Sequence, residues 1–380
     1  MAPLSYSAIP DGSSSPAPAP ASWPKLLCLL PLAAVAIPLF TMFPSSSSAS
    51  LTTTLSSPLD SLCTGGHYSK TTLKEAATYP FIALFPDAKG AKKFEGSDVI
   101  YDNGYFYAIA DSLWSILSVD SSLKLYESSN SMIGDPFREE DESGYEAIFK
   151  VDDIFYVVRE SIADVDSAGD YHAIVEELAI TPDGTDYEIV AQCPSEFSFT
   201  GDSKGFEGAV GLKSADGTLY MLGLCEGNHC AEGKKGKDKG NGKVVVLKKA
   251  MGDEGCSWEP VRTMDIPKSA NFQDYSAISV SDTGKVAITS QEESAVWIGH
   301  LGGYEGGELD VDAAEFVDEK SKVLNFPRDG ECRMIFCNIE GIHWIGDDQL
   351  VAVSDKMKNR GKQDFRCFDK DQSLHVFAMP

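Results

Sequence analysis

A two-strand phrase recurs five times along this 380-residue chain and restricts the folds that the chain can adopt. Each phrase has an aromatic or aliphatic residue, then Glu or Ser, then an alternating apolar run, a polar turn and a second apolar run. The first reads FEGSDVIYDNGYFYAIAD and the last reads IEGIHWIGDDQLVAVSD. Alternation with a period of two indicates β-strands, and the Asn-Gly and Asp-Gly turns favour tight hairpins. The phrases begin at Phe94, Tyr145, Phe206, Tyr275 and Ile339.

The strands around these phrases indicate a closed ring. One or two further strand-like runs follow each phrase, but the last phrase has only SLHVFAM before the chain ends at Pro380. Upstream of the first phrase, YPFIALFP (79–86) has no hairpin partner. An N-terminal strand that completes the last blade leaves no open sheet edge. We predict an all-β, five-bladed β-propeller of four-stranded blades over 79–380, closed by a strand at about 79–86. A β-sandwich is the alternative.

The first 78 residues differ in composition from the rest of the chain. Residues 1–25 are rich in Ser, Pro and Ala and predict a disordered tail. Residues 26–43 are uncharged and apolar, which predicts a transmembrane signal anchor, and 44–78 read as a Ser/Thr-rich stalk. We therefore expect a single-pass membrane protein of the secretory pathway, with a lumenal or extracellular domain. A cleaved signal or a transit peptide is the alternative.

Charge and cysteine content narrow the class of protein further. The formal net charge is −26, so nucleic acid is not an expected partner, although the charge could serve solubility alone. Eight cysteines lie outside the anchor, an even number that predicts disulfides in an exported domain. Their spacings lack the paired Cys and His pattern of a zinc site.

The polar position of the phrase predicts a metal site. The first strand of a propeller blade lines the channel, so equivalent residues form a ring, and facing glutamates raise one another's pKa. Calcium accepts about six to eight oxygen ligands, whereas zinc and copper prefer His and Cys. We expect Ca²⁺ here; the alternative is that these side chains only hydrogen-bond water and backbone. The predicted ring is Ser97, Glu146, Glu207, Ser276 and Glu340. In the first phrase Glu95 and Asp98 are alternatives to Ser97, because the register there is ambiguous.

Acidic residues end the second strand of several phrases. A strand antiparallel to the first ends where the first begins, so these carboxylates should lie at the same channel mouth. Asp111, Glu160 and Asp355 are the candidate general bases.

The order of the five ring residues along the chain, Ser, Glu, Glu, Ser and Glu, resembles that of the calcium-activated nucleotidases, the five-bladed apyrases. Ser97-Asp98-Val99-Ile100, followed by an Asn-Gly turn, resembles that family's Ser-Asp-Leu-Ile and Asn-Gly run. The run 339–342 (IEGI) resembles its Tyr-Glu-Gly-Ile, and 290–293 (SQEE) resembles its Ser-Glu-Glu. The resemblance covers the layout of 94–345. It implies a channel Ca²⁺, a Ser-Glu-Glu-Ser-Glu ligand ring and hydrolysis of nucleotides. Similar phrases occur in phytase-like propellers, which usually have six blades.

The family's phosphate-binding arginines are missing here. The run 110–114 (ADSLW) replaces its Asp-Asp-Arg-Thr-Gly, and 224–226 (LCE) replaces its paired arginines. Arginine binds phosphate in a bidentate manner, so this departure weakens the case for nucleotide hydrolysis. A basic loop at 356–362 offers substitute cations, unless it is only a solvated surface loop. The predicted substrate-binding residues are Arg159, Lys356, Lys358 and Arg360.

Two functions follow from these patterns. One is a Ca²⁺-dependent hydrolase that acts on a small phosphorylated molecule. The other is a non-catalytic propeller that binds a glycan, peptide or protein at the same mouth, with calcium in a structural role.

Overall fold

Most of the regular structure in the described part of the chain is β-strand, as the short alternating runs predict. The computed structural model describes residues 70–86, 88, 93–125, 129–138, 142–163, 171–199, 205–225, 239–253, 255–357 and 365–380. The predicted tail, the membrane anchor and the stalk up to residue 69 lie outside these ranges. Among the described residues, we find no helix with the length and apolar character needed to cross a bilayer.

The strands form four-stranded antiparallel units in chain order, here called blades. Blade 1 contains β2 (Gly96–Asp102), β3 (Tyr105–Ala110), β4 (Leu113–Asp120) and β5 (Ser131–Ile133). Blade 2 contains β6 (Tyr145–Val151), β7 (Ile154–Ala163), β8 (Tyr171–Ile180) and β9 (Tyr187–Phe199). Blade 3 contains β10 (Phe206–Lys213), β11 (Leu219–Cys225), β12 (Lys243–Gly252) and β13 (Gly255–Asp265).

The last two blades contain an insertion and the ring closure. Blade 4 contains β14 (Ala277–Val280), β15 (Lys285–Ser290), β16 (Ala295–Gly302) and β19 (Glu315–Asn325). A small hairpin, β17 (Tyr304–Glu305) and β18 (Glu308–Leu309), lies between its third and fourth strands. Blade 5 contains β20 (Ile339–Ile345), β21 (Gln349–Ser354), β22 (Ser373–Ala378) and the N-terminal β1 (Lys74–Pro80).

The closing strand has the predicted partner but different bounds. β1 pairs antiparallel with β22, from Lys74 opposite Ala378 to Pro80 opposite Ser373. The predicted strand at 79–86 is wrong over most of its length, because the chain turns at Pro80 into the short helix α1 (Phe81–Leu84). Phe81 of that helix is fully buried in the apolar core, so its side chain packs without belonging to a strand. Most of β1 therefore lies within the segment expected to be stalk.

The apolar cores lie between blades. Five clusters of buried apolar side chains occur among the described residues, and each is shared by two consecutive blades, the last being shared by blades 5 and 1. The innermost strands β2, β6, β10, β14 and β20 also contact their neighbours in this circular order. The predicted all-β propeller built from four-stranded sheets is confirmed.

Two disulfides lie among the described residues. Cys193–Cys256 joins the outer strands β9 and β13, which also meet through a parallel pairing of Ser195 with Trp258. Cys337–Cys367 joins the segment just before β20 to a 3-10 helix (Phe365–Asp369) between β21 and β22. The prediction of disulfides is therefore confirmed, and disulfides are typical of an oxidising compartment.

Candidate functional site at one end of the channel

A β-bulge lies at four of the five predicted ring residues, at the start of their inner strands. In β2, Gly96 pairs with Ala110 and Asp98 with Ile109, so Ser97 is the extra residue between them. Such a residue leaves the ladder, and its side chain is aimed away from its neighbours' face. The same irregularity occurs at the positions of Glu146, Glu207 and Glu340.

The remaining ring member has matching geometry. Ser276 donates its backbone N–H to the Thr289 carbonyl over 3.1 Å, while the next residue, Ala277, pairs with the same Thr289. Two residues thus oppose one, as at the other positions. The pairing of β2 with β3 also fixes the register of the first repeat. Ser97, rather than Glu95 or Asp98, occupies the position of the three glutamates.

Neighbouring inner strands approach one another closely just past the ring. A Cβ atom on Gly208 would lie 2.7 Å from the Ile278 nitrogen of the next blade. A Cβ atom on Gly341 would lie 2.5 Å from the Asp98 Cα. Since backbone atoms cannot yield easily, glycine is required here, and the ring residues beside these contacts converge on the channel.

The glutamates of the ring interact electrostatically. The pKa of Glu146 lies well above its usual range, chiefly because of burial and then because of the nearby Glu207, Glu160, Glu340 and Asp111 carboxylates. Glu340 is buried, and Glu146 and Glu207 are half-buried. The structure therefore brings the three predicted glutamate ligands into one electrostatic environment, in which ionising all of them is unfavourable.

The two serines of the ring are held by hydrogen bonds. The Ser97 Oγ accepts the backbone N–H of Asp111 over 3.0 Å. The Ser276 Oγ donates to the Ile339 carbonyl over 2.8 Å, next to Glu340 in the following blade. Both oxygens are therefore fixed in position, and each has lone pairs that could face a cation.

The three candidate bases occupy equivalent positions beside the ring. Each donates its backbone N–H to the carbonyl two residues before the ring residue of its own blade: Asp111 to Glu95 (3.1 Å), Glu160 to Gly144 (2.9 Å) and Asp355 to Asn338 (3.0 Å). They lie at the same mouth as the ring because β3, β7 and β21 run antiparallel to the inner strands.

Asp111 differs from an ordinary surface aspartate. Its pKa is raised from 3.8 to about 7, first by burial and then by the Asp355 charge, while Lys93 acts in the opposite direction. Its Oδ1 atom is buried and has no hydrogen-bond partner among the described residues. At neutral pH such a carboxyl exchanges a proton readily, as a general base must.

The predicted substrate-binding residues are largely engaged inside the protein. The Arg159 Nε donates to the Ser143 carbonyl over 3.0 Å, its Nη1 to Glu176 over 3.4 Å, and its guanidinium lies 4.7 Å from the Trp114 ring centroid. Lys356 forms an ion pair with the buried Glu95. Lys358 and Arg360 lie outside the described residues.

One cation at the mouth was not predicted from the sequence. The Lys93 Nζ lies 2.6 Å from the Glu142 carboxylate and also pairs with Glu95. Oxygen atoms of Glu95, Asp111 and Glu142 lie within 4.8 Å of one another and form a second acidic cluster. Lys93 and Lys356 both pair with this cluster and offset its charge. Lys93 and Glu142 each lie three residues before an inner strand and outside the repeated phrase, so the phrase gave no signal for them.

Comparison with known proteins adds little beyond the fold. No protein-family model and no curated protein matches the chain. Solved structures that resemble it include a GH43_1 enzyme from Xanthomonas citri complexed with xylotriose, with 10% identity, TM-score 0.43 and coverage of 80% of this chain and 90% of that chain. Sucrose-6-phosphate hydrolase from Lactobacillus gasseri shares 10% identity, TM-score 0.43 and coverage of 84% and 62%.

The PQQ-bound aldose sugar dehydrogenase from Streptomyces coelicolor shares 12% identity, TM-score 0.37 and coverage of 80% and 98%. These neighbours are β-propeller enzymes of different chemistries. With TM-scores below 0.5 they carry no argument about substrate or reaction, and none of them supports the nucleotidase family.

Proposed function

We propose that this protein binds Ca²⁺ at the channel mouth where the inner strands begin, and that it hydrolyses phosphate esters or anhydrides there. The observation that carries the proposal is that Glu146, Glu207 and Glu340 occupy the same bulged position of their inner strands, where burial and the neighbouring carboxylates raise the pKa of Glu146. A buried group of like charges is costly unless a cation offsets it. The glutamates would supply charged oxygen ligands, and Ser97 and Ser276 would supply neutral ones.

Calcium fits this donor set better than zinc or copper. Carboxylate and hydroxyl oxygens are hard ligands, and the five ring positions contain no His or Cys. When bound, the ion would polarise a phosphoryl oxygen of the substrate. The chain's own contribution would be the half-buried Asp111 carboxylate at the same mouth, which would accept the proton of a water that attacks phosphorus. As the water oxygen bonds to phosphorus, the bond from phosphorus to the leaving-group oxygen would break and that oxygen would keep the electron pair. Glu160 and Asp355 flank the same mouth.

The proposed setting is the lumen of the secretory pathway or the extracellular space, with residues 26–43 as the membrane anchor. The disulfides support an oxidising compartment. The partner at the mouth would be a small phosphorylated molecule, and the acidic composition argues against nucleic acid.

A second candidate is a non-catalytic calcium-binding propeller whose mouth binds a glycan, peptide or protein. The specific observation in its favour is that Arg159 and Lys356 are already paired with acidic groups or backbone carbonyls. Cations in such pairs are poor clamps for a phosphate, because each pair must be broken before the anion binds.

The test uses the full-length chain, purified in detergent. Calcium binding is measured by isothermal titration, and phosphate release is measured on nucleoside diphosphates and sugar phosphates, with Ca²⁺ and with chelator. Glu207→Gln should weaken Ca²⁺ binding by more than about 10-fold, since even disturbing a supporting contact of a metal site has that effect. Glu188→Gln, on the exposed face of the outer strand β9, is the matched control and should bind like the parent protein.

Three results separate the alternatives. Turnover that needs Ca²⁺ and disappears in Glu207→Gln supports the hydrolase. Saturable Ca²⁺ binding without turnover supports the binding propeller. Absence of saturable Ca²⁺ binding in the parent protein refutes both.

A further inference from the structure

A disulfide in blade 5 lies next to the candidate calcium ring along the chain. Cys337 is three residues before the ring residue Glu340, and its partner Cys367 lies in the 3-10 helix between β21 and β22. Both cysteines are almost fully buried, with 4% and 2% of their surfaces exposed. The bond therefore joins the segment before a proposed calcium ligand to the segment between the candidate base Asp355 and β22.

Asn338 connects this disulfide to the mouth of the channel. It is buried, and its φ of 56° is in the left-handed region, which asparagine adopts more readily than most residues. Its carbonyl accepts the backbone N–H of Asp355 over 3.0 Å, and its Nδ2 donates to the Lys356 carbonyl over 2.6 Å. A displacement of Cys337 would therefore reach the main chain of the candidate base directly.

The following residue connects the disulfide to blade 4. The Ile339 carbonyl accepts the Ser276 hydroxyl over 2.8 Å, and Ser276 is the ring residue of that blade. The ring residue Glu340 follows Ile339 at the bulge of β20. The short run 337–340 thus holds two proposed calcium ligands, one through a hydrogen bond and one through the chain itself.

The segment after Cys367 is hydrogen-bonded to the same mouth. The Lys370 carbonyl accepts the Ser354 hydroxyl over 2.7 Å. The Gln372 backbone N–H donates to the Asp355 carbonyl over 3.4 Å. The main chain of Asp355 is therefore hydrogen-bonded to residues near each of the two cysteines of the bond.

The Gln372 side chain crosses the seam between blades 5 and 1, at which the ring of blades closes. Its Oε1 accepts the backbone N–H of Phe94 over 2.9 Å, and Phe94 lies three residues before the ring residue Ser97. The Gln372 carbonyl accepts the N–H of Phe81, the first residue of α1, over 2.9 Å. One residue therefore joins the segment that contains Cys367 to blade 1 and to the end of the closing strand.

The strands of blade 5 are paired independently of the bond. β21 is hydrogen-bonded to β20 on one side and to β22 on the other along their lengths. Cys337 and Cys367 both lie outside these strands, in the segments at their ends. A cross-link in that place restricts the segments at the channel mouth more than it restricts the ladder.

We infer that the Cys337–Cys367 disulfide is a positioning element for the calcium ring. It holds Glu340 and the main chain of Asp355 at the mouth, and Gln372 extends this support to blade 1. Metal ligands depend on the groups that orient them, and the loss of such a group typically lowers metal affinity by about 10- to 100-fold. The inference rests on the proposed calcium site.

The first measurement is isothermal titration of Ca²⁺ into the full-length chain in detergent. The double variant Cys337→Ser, Cys367→Ser should bind Ca²⁺ about 10- to 100-fold more weakly than the parent. The matched control is Cys193→Ser, Cys256→Ser, which removes the bond between the outer strands β9 and β13 and should leave the affinity unchanged. The control bond spans 63 residues and the test bond 30, so losing the control bond should destabilise the fold at least as much. An affinity that merely followed stability would fall further in the control.

The second measurement is amide hydrogen exchange in chelator, which reads the positioning without any metal. The N–H groups of Asp355 and Gln372 donate to the carbonyls of Asn338 and Asp355 in the parent protein. In the Cys337→Ser, Cys367→Ser variant they should exchange about 3- to 10-fold faster, the equivalent of one weakened hydrogen bond. In the control variant their exchange should match that of the parent.

A single substitution keeps the test valid if the double variant folds poorly. Gln372→Leu removes the acceptor of the Phe94 N–H at the seam and leaves the disulfide intact, and it should weaken Ca²⁺ binding by about 3- to 10-fold. Gln192→Leu, which also loses one side-chain hydrogen bond but on the outer strand β9, is its control and should bind Ca²⁺ like the parent.

The outcomes separate this inference from the proposed function. Weaker Ca²⁺ binding and faster exchange in the test variants, with parent-like controls, support the positioning role. Saturable Ca²⁺ binding in the parent that the test variants lose no more than the controls, or exchange at Asp355 and Gln372 that does not change, overturns the inference and leaves the calcium site standing. A parent without saturable Ca²⁺ binding overturns both.

Discussion

Replacing Asp111 by Asn should stabilise the calcium-free protein above neutral pH. The folded protein raises the pKa of Asp111 from 3.8 to about 7, so ionising this carboxyl in the fold is unfavourable. Each pKa unit corresponds to about 1.36 kcal/mol, so the rise of the Asp111 pKa from 3.8 to about 7 corresponds to a cost of roughly 4 kcal/mol for ionising the carboxyl in the fold. Because Asp111 is partly exposed, we expect solvent screening to reduce the effect to about 2–4 kcal/mol.

The sign of the pH dependence follows from linkage. A carboxyl whose folded pKa is raised makes the fold less stable as pH rises from the unfolded pKa, 3.8, to the folded pKa, about 7, and the loss is complete above that. Asn cannot ionise and has nearly the same shape. The variant and the parent should therefore have similar free energies of unfolding near pH 4, and the difference should grow until about pH 7.

Urea unfolding followed by tryptophan fluorescence, in chelator and at several pH values from 4 to 8, measures this difference. Asp253→Asn, at an exposed turn between β12 and β13, is the control and should show no comparable gain. An Asp111→Asn protein that is no more stable than the parent at pH 8 would refute the assignment of Asp111 as a strained, base-like carboxyl. In saturating Ca²⁺ the advantage should shrink, since a nearby cation favours the ionised parent.

Two further predictions concern the fold that holds the site. Gly341→Ala should destabilise the protein by about 3 kcal/mol, because the added methyl overlaps the Asp98 backbone of the next blade. Gly252→Ala should be tolerated in the same urea assay, because its methyl would meet only the Gly255 carbonyl at 3.8 Å, an ordinary contact. A Gly341→Ala variant of unchanged stability would contradict the close strand approach. Replacing Cys193 and Cys256 by Ser should lower stability by about 4 kcal/mol for a closed loop of 63 residues, and a smaller loss than about 1 kcal/mol would mean that the bond does not cross-link the blades.

The repeated phrase made the ring of strands predictable, because alternation and turn chemistry are local properties. The Asn-Gly turn of the first phrase forms the two-residue hairpin loop between β2 and β3, with positive φ at Asn103 (47°) and Gly104 (85°). The phrase could not fix the register of its first copy, where Glu95, Ser97 and Asp98 all resembled the ring position. The bulge at Ser97 decides it, and a bulge depends on pairing across strands rather than on sequence period.

The differences between the sequence-based predictions and the structure have physical causes. Tyr79–Pro86 was predicted as the closing strand because it is apolar, but Pro80 has no N–H to extend a ladder, and Phe81 buries itself from a helical turn instead. Arg159 was predicted to face the mouth with Glu160. Successive side chains of a strand point to opposite faces, so Arg159, which pairs with Tyr145, lies on the other face from Glu160. Lys93 lies just before the first phrase and outside the repeated pattern, so the repeat did not predict it.

The most direct test of the central claim is a crystal structure grown with Ca²⁺ and examined for anomalous scattering. We predict a calcium peak bounded by carboxylate oxygens of Glu146, Glu207 and Glu340, at about 2.3–2.6 Å. A channel mouth without a peak at saturating Ca²⁺, or a peak held only by Glu95, Asp111 and Glu142, would contradict it.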